Sequence, residues 1–261
     1  MRGPLCGRPP RWCDMTELTT ITSSLSRPIV EMMVFPIIKA LYYPDGTEVH
    51  KIIGTGFFLD STGLFLTARH VFQGLGSAFD LEDAAGFAVY CVHSVHLSRK
   101  MVARHLDVSS IKTHRETDIA GGRVEINQFG RANNSITEDE LKLTAHFNHM
   151  TSTEIAEGTR IWTVAYPLAT VHQPGHVDIH AQSDAFEGKI TKHYPHGRDR
   201  GLLKWPCYET DMEIKRGASG GPVFVSGSSG VVFGVNCTGF DPHTVSYVSS
   251  LVPLVHKPSA A

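Results

Sequence analysis

GTGFFLDSTGLFLTARHVF, Gly54 to Phe72, carries two apolar runs separated by the polar DSTG at Asp60 to Gly63. Phe, Leu and Thr dominate both runs, and Asp, Ser and Gly are the residues that turns use. The stretch therefore reads as a β-hairpin whose second strand ends in Thr67-Ala68-Arg69-His70. A histidine just past a strand end is held by rigid backbone yet is free to face a cleft. Its imidazole is the side chain whose ordinary pKa suits proton transfer near neutrality.

The same texture extends in both directions. Upstream, from about Ile29, IVEMMVFPIIKALYY is apolar and partly β-branched, and the PDG at Pro44 to Gly46 is a turn signal. Downstream, FAVYCVHSVHL and MVARHLDVSSIK continue the short strands, and SITEDELKLTAHF interrupts them as a polar segment with helix formers that Ser135 or Thr137 would cap. Strands resume in TRIWTVAYP, HVDIHAQSDAF, EGKITKHY, GVVFGVNCTGF and TVSYVSSLVPL. Short strands with Gly and Pro turns predict an all-β barrel or sandwich, here two stacked β units. The divisions fall at 1–28 (leader), 29–127 (first barrel), 128–155 (linker), 156–256 (second barrel) and 257–261 (tail).

At 261 residues the chain has length for one large domain or two small ones. A net charge of −2, from 24 basic and 26 acidic residues, removes the electrostatic reason to expect a nucleic-acid partner. Nowhere do the apolar residues run on for the roughly 18 positions that a membrane span needs. The opening MRGPLCGRPPRWCDM is basic and rich in Pro and Gly, with no apolar stretch after it, so it reads as a disordered leader or as a start upstream of Met15 rather than an export signal. Five widely spaced cysteines, an odd number, argue against a disulfide framework and for a reducing, cytoplasmic setting.

GASGGPVF, Gly217 to Phe224, places one hydroxyl among three glycines and a proline. Glycine permits backbone geometries that other residues resist, and lets other atoms approach the main chain. Ser219 in such a turn presents both its hydroxyl and its neighbouring amides. Between His70 and Ser219, THRETDIAGGRV contains Asp118, polar on one side and apolar on the other. Serine alone is a poor nucleophile, because it must lose a proton as it attacks. A histidine accepts that proton, and a carboxylate orients the imidazole and stabilises its cation. Amides of Gly217 and Ser219 would stabilise the resulting oxyanion. Asp107 in RHLDVS and Asp83 also lie in the interval; the apolar run directly after Asp118 favours the latter.

LTARHV, TDIA and TDMEIKRGASGGPVF resemble the three catalytic blocks of chymotrypsin-like (trypsin-fold) serine proteases, and the last is closest to the HtrA-like branch. The resemblance covers about residues 30 to 255, and it implies two six-stranded antiparallel β-barrels with His70, Asp118 and Ser219 in the cleft between them. It further implies a serine endopeptidase that needs no cofactor or metal, acts on a protein or peptide, and forms its P1 pocket with Cys237, Thr238 and Gly239. Ala218 stands where digestive members have an aspartate that pairs with a freed N-terminus, so activation by N-terminal cleavage is not expected. The segment after Ser219 is too short for the PDZ module of full HtrA proteases. An unexported protease must spare its host, which implies narrow specificity or an activating protein partner. The rival readings are a catalytically silent binding module of the same fold, and an esterase using the same three residues.

Glu213 lies six residues before Ser219, where trypsin-like members hold the acid that binds Arg or Lys. A preference for basic P1 residues stands beside a second reading, a solvated loop carboxylate, which the HtrA-like alignment favours. His172, His176 and His180 have helical spacing, but Pro174 and Gly175 break any helix there, so no zinc site is expected. Cys207 and Cys237 read as buried structural thiols before reactive ones.

Overall fold

Strand formation follows the apolar runs, and the turns between them follow the chemistry of their side chains. The computed structural model describes residues 27–73, 75, 83–95, 100–124, 146–147, 150–151, 153–167, 182–228, 230–240 and 245–255. A short helix, α1 (Arg27–Met33), leads into β1 (Val34–Tyr42), β2 (Glu48–Phe58), β3 (Leu64–Ala68), β4 (Gly86–Val95), β5 (Lys100–His105), β6 (Lys112–Thr113) and β7 (Ile119–Arg123). These pair antiparallel in the order β5-β4-β1-β2-β3-β7-β6. The turn at 60–63 is fixed by Asp60, whose Oδ1 accepts from Thr62 N–H at 2.8 Å and Leu64 N–H at 3.0 Å. Gly63 takes φ 87°, a conformation that costs glycine little.

The second unit contains β8 (Arg160–Ala165), β9 (Asp184–Tyr194), β10 (Cys207–Thr210), β11 (Pro222–Val225), β12 (Val232–Phe240) and β13 (Val245–Ser250), followed by the single turn α2 (Val252–Val255). It closes as a barrel in the order β10-β13-β12-β11-β8-β9. The double-barrel, chymotrypsin-like architecture is thus present, with one correction. The first unit is a seven-stranded sheet rather than a closed six-stranded barrel. A single bridge, Leu106 to Val124, joins the chain just after β5 to the chain just after β7. A second correction concerns residues from Ile29, expected to be strand. Pro28 is tolerated in the first turn of a helix, and α1 buries Val30 and Met33 in the core. The expected helix in SITEDELKLTAHF and the histidines 172, 176 and 180 lie outside the described residues, apart from His146 and Phe147 at the former's end.

One apolar cluster runs from Phe35, Phe57, Phe58 and Phe65 in the first sheet to Val164, Phe224 and Val235 in the barrel. Burying a side chain of this size contributes about 1.5–3 kcal/mol. The shared core fixes the two units against each other, and so fixes the loops at their junction. A second cluster fills the barrel itself, including Phe186, Met212, Ile214, Ala218 and Phe233.

Candidate active site

His70 occupies a 3-10 turn, Arg69–Phe72, directly after β3. Asp118 immediately precedes β7, the strand paired with β3, with Ala68 opposite Ile119. Pairing of the two strands therefore brings together residues 48 apart in sequence. Asp118 Oδ2 lies 2.6 Å from His70 Nδ1, and Oδ1 accepts the His70 backbone N–H at 3.1 Å. The ring is held by its own backbone and by its side chain at once. Asp118 is buried, while the His70 side chain is 40% exposed, so the far edge of the imidazole faces solvent. Arg69 N–H on Asp118 O (3.0 Å) and Asp118 N–H on Ser249 Oγ (3.2 Å) complete the support. Asp107 serves elsewhere, as the cap of the 3-10 turn Val108–Ser110, and Asp83 is exposed at φ 66°.

Ser219 sits in the loop that enters β11. A turn at Lys215–Ala218 is closed by Ala218 N–H on Lys215 O at 3.1 Å, with Gly217 at φ 90°. A positive φ at the third residue is what a type II turn requires, and it explains glycine there. Ala218 is fully buried in the barrel core, an apolar anchor for this loop. Gly220 N–H bonds Asn236 O at 2.8 Å. The amides of Gly217 and Ser219 have no acceptor among the described residues. Ser219 Oγ donates to Cys237 O at 2.9 Å, not to His70. The Cys237 thiol itself turns the other way, donating to Val235 O at 3.7 Å.

Thr55, the middle residue of the Gly54-Thr55-Gly56 lead-in, has a part that reading the chain in isolation does not assign. Its N–H bonds Ser219 O at 2.7 Å and its hydroxyl bonds Gly217 O at 2.8 Å. The same hydroxyl accepts Tyr166 N–H at 3.0 Å, and its carbonyl accepts Thr67 Oγ1–H at 2.6 Å. Strand β2 thereby clamps the serine turn onto the first sheet. Thr55→Val keeps the shape but strands Gly217 O and Tyr166 N–H. We expect it to destabilise the chain by about 2 kcal/mol, the cost of two buried hydrogen bonds, and thermal unfolding against the wild type measures this.

Cys237, Thr238 and Gly239 all lie on β12, with Cys237 beside Ser219 as above. Glu213 is exposed between buried Met212 and Ile214, so alternation turns its carboxylate away from the barrel interior. The cysteines 91, 207 and 237 are free and buried. Burial pushes the Cys91 thiol up to about 12 and the Cys207 thiol up to about 11, and it also holds Cys237 well above the ordinary range. Raised pKa means the unreactive thiol form at neutral pH. These three are expected to resist a disulfide reagent in the native protein and to react once it is denatured; a thiol count under both conditions checks this. Among the described residues no His, Cys, Asp and Glu group could hold a metal, and no helix is long and apolar enough to cross a membrane.

Residues 54–235 match the family described as the trypsin-like peptidase domain. No curated protein matches the chain in sequence. Among solved structures, the crystal structure of Deg5 superposes with a TM-score of 0.51 at 16% identity, covering 83% of each chain. The HtrA-type protease AlgW with a tripeptide gives 0.52 at 15% identity over 85% of this chain and 58% of that one. AlgW with a decapeptide gives 0.56 at 15% identity over 88% and 66%. The chain thus spans less than two thirds of the AlgW chains. At these identities the likeness establishes the fold.

Proposed function

This chain belongs to the trypsin-like peptidase family and is a serine protease, and we propose that it cuts peptide bonds through an acyl-enzyme on Ser219. The observation that carries this reading is the doubly anchored His70: Asp118 accepts from its ring nitrogen at 2.6 Å and from its amide at 3.1 Å. That bond leaves Nε2 as the acceptor of the neutral ring. With substrate bound, the Ser219 hydroxyl turns from Cys237 O to His70 Nε2 and attacks the peptide carbonyl as its proton passes to the ring. Catalytic hydrogen bonds commonly tighten only when substrate arrives. Amides of Gly217 and Ser219 receive the oxyanion, His70 returns the proton to the leaving amine, and water then releases the acyl group by the same route.

Strand β11 pairs with β12 as far as Val235, Gly220 and Gly221 continue the pairing to Asn236, and β13 occupies the other side through Phe240. Among the described residues the backbone at Thr238–Phe240 has no strand partner on the Ser219 side, which supports docking of an extended substrate by strand addition. Cys237, Thr238 and Gly239 would flank the P1 side chain there. The decapeptide and tripeptide bound by AlgW are in keeping with a peptide substrate. Free thiols at all three described cysteines accord with a cytoplasmic setting.

A fluorophosphonate probe tests the reading. One adduct is expected on the wild type, mapped by mass to the peptide containing Ser219. An adduct on another serine would refute the assignment. Turnover of peptides against simple esters separates a protease from an esterase, and labelling that appears only after cell lysate is added is the result expected of an enzyme assembled by a protein partner.

A further inference from the structure

We propose that a pocket beside His70, walled by Trp205, is a subsite for an acidic side chain of the substrate; this rests on the peptidase reading above. The pocket measures about 400 Å3 and is lined by Arg115, Glu116, His196, Lys204 and Trp205 with neighbouring prolines. Two of its lining residues, Arg115 and Glu116, belong to the segment that leads into Asp118. Arg69, whose guanidinium lies 4.4 Å from the Trp205 ring centre, directly precedes His70, and Glu116 stands two residues before Asp118. A substrate in the cleft is thus the molecule placed to fill it.

Charge identifies the side chain. Lys204, a lining residue, has its Nζ 4.9 Å from the same indole, so Trp205 holds one cation of the pocket in addition to Arg69 behind it. Arg115 and His196 are exposed at the rim, and Glu116 is the one carboxylate among the described lining residues. This local excess of positive charge stands out in a chain whose net charge is −2. Trp205 is 7% exposed, so its ring is a fixed wall rather than a mobile surface side chain. Asp or Glu fits this set; an apolar side chain would leave the cations unpaired, and a basic one would be repelled. The pocket is distinct from the P1 wall proposed on β12.

Two measurements on the full chain test this. In the first, kcat/KM is compared for peptides carrying Glu or Gln in turn at each position around the scissile bond. A preference for Glu of roughly tenfold at one position away from P1 is expected, the sum of two or three part-exposed charge pairs. The Glu/Gln ratio should fall toward one in Arg115→Gln and Lys204→Gln. In Lys204→Glu it should fall further, with Lys at that position becoming the better substrate than Glu. In the second, the same peptides carrying a fluorophore are bound to Ser219→Ala and followed by anisotropy, which reads the pocket without catalysis. A wild type that cleaves nothing while Ser219→Ala still prefers Glu peptides would sink the peptidase mechanism and keep the pocket. Equal Glu and Gln values at every position, or a Glu preference unmoved by the three variants, would overturn the pocket.

Discussion

Ser219→Ala is expected to lower kcat on a cleaved peptide by about 10^6-fold, His70→Ala by a similar factor, and the double variant by no more than either alone. The reason is mechanical. Without the Ser219 hydroxyl there is no atom to acylate, and His70 then has no proton to receive. Without His70 the hydroxyl keeps its proton and is a weak nucleophile. Each loss disables one and the same step, so their costs do not add. Asp118→Asn acts one bond further away. An amide replaces the carboxylate acceptor 2.6 Å from Nδ1, favouring the wrong tautomer, and the expected loss is about 10^4-fold. None of these should unfold the protein by removing core packing. Ser219 is only partly buried, and its hydroxyl makes one bond, to Cys237 O. The check is steady-state kinetics on purified variants, each shown to be folded by its near-ultraviolet circular dichroism. If the double variant proved far slower than the slower single one, the residues would be acting independently, and the shared proton transfer would be wrong.

The features legible in the sequence are those whose chemistry is local. Asp60, Thr62 and Gly63 form their turn by contacts within four residues, so DSTG could be recognised without any knowledge of the rest. The proposed catalytic blocks stand out for a related reason: His after a strand and Ser among glycines are residue types that acyl transfer requires wherever they sit. Helices α1 and α2 were hidden because IVEMM and VPLV are short apolar segments, in which periodicity does not separate helix from buried strand. In α1 it is packing of Val30 and Met33 on the core that decides. Thr55 is the plainest case. Its hydroxyl meets Gly217 O across 162 residues of sequence, and nothing in GTGFF announces that partner. Trp205 is similar: only the fold sets Arg69, distant in sequence, against its ring.

Gly220→Ala is expected to destabilise the chain by about 3 kcal/mol or more, lowering Tm by roughly 6–12 °C in a protein of this size, and to abolish any peptidase activity. Two causes act together. Gly220 has φ +94°, which L side chains resist, and a Cβ built on it would lie 2.0 Å from Thr55 O and 2.2 Å from Thr67 Oγ1. Those two atoms are themselves bonded to each other at 2.6 Å, and the first belongs to the strand that clamps the Ser219 turn. Neither has room to yield. Relief must come from moving the serine turn off β2, which breaks the Thr55 bonds to Gly217 and Ser219 that hold the two proposed oxyanion donors in place. Gly158→Ala is the matched control. Its φ of +83° imposes the same backbone cost, yet nothing lies within 4 Å of the new Cβ, so its loss should stay near 1 kcal/mol. Adding Thr67→Ala to Gly220→Ala should not restore function, because the closer clash is with backbone. If calorimetry gave Gly220→Ala and Gly158→Ala equal losses, backbone conformation alone would explain the glycine, and the proposed contact between the serine turn and β2 would have no energetic weight.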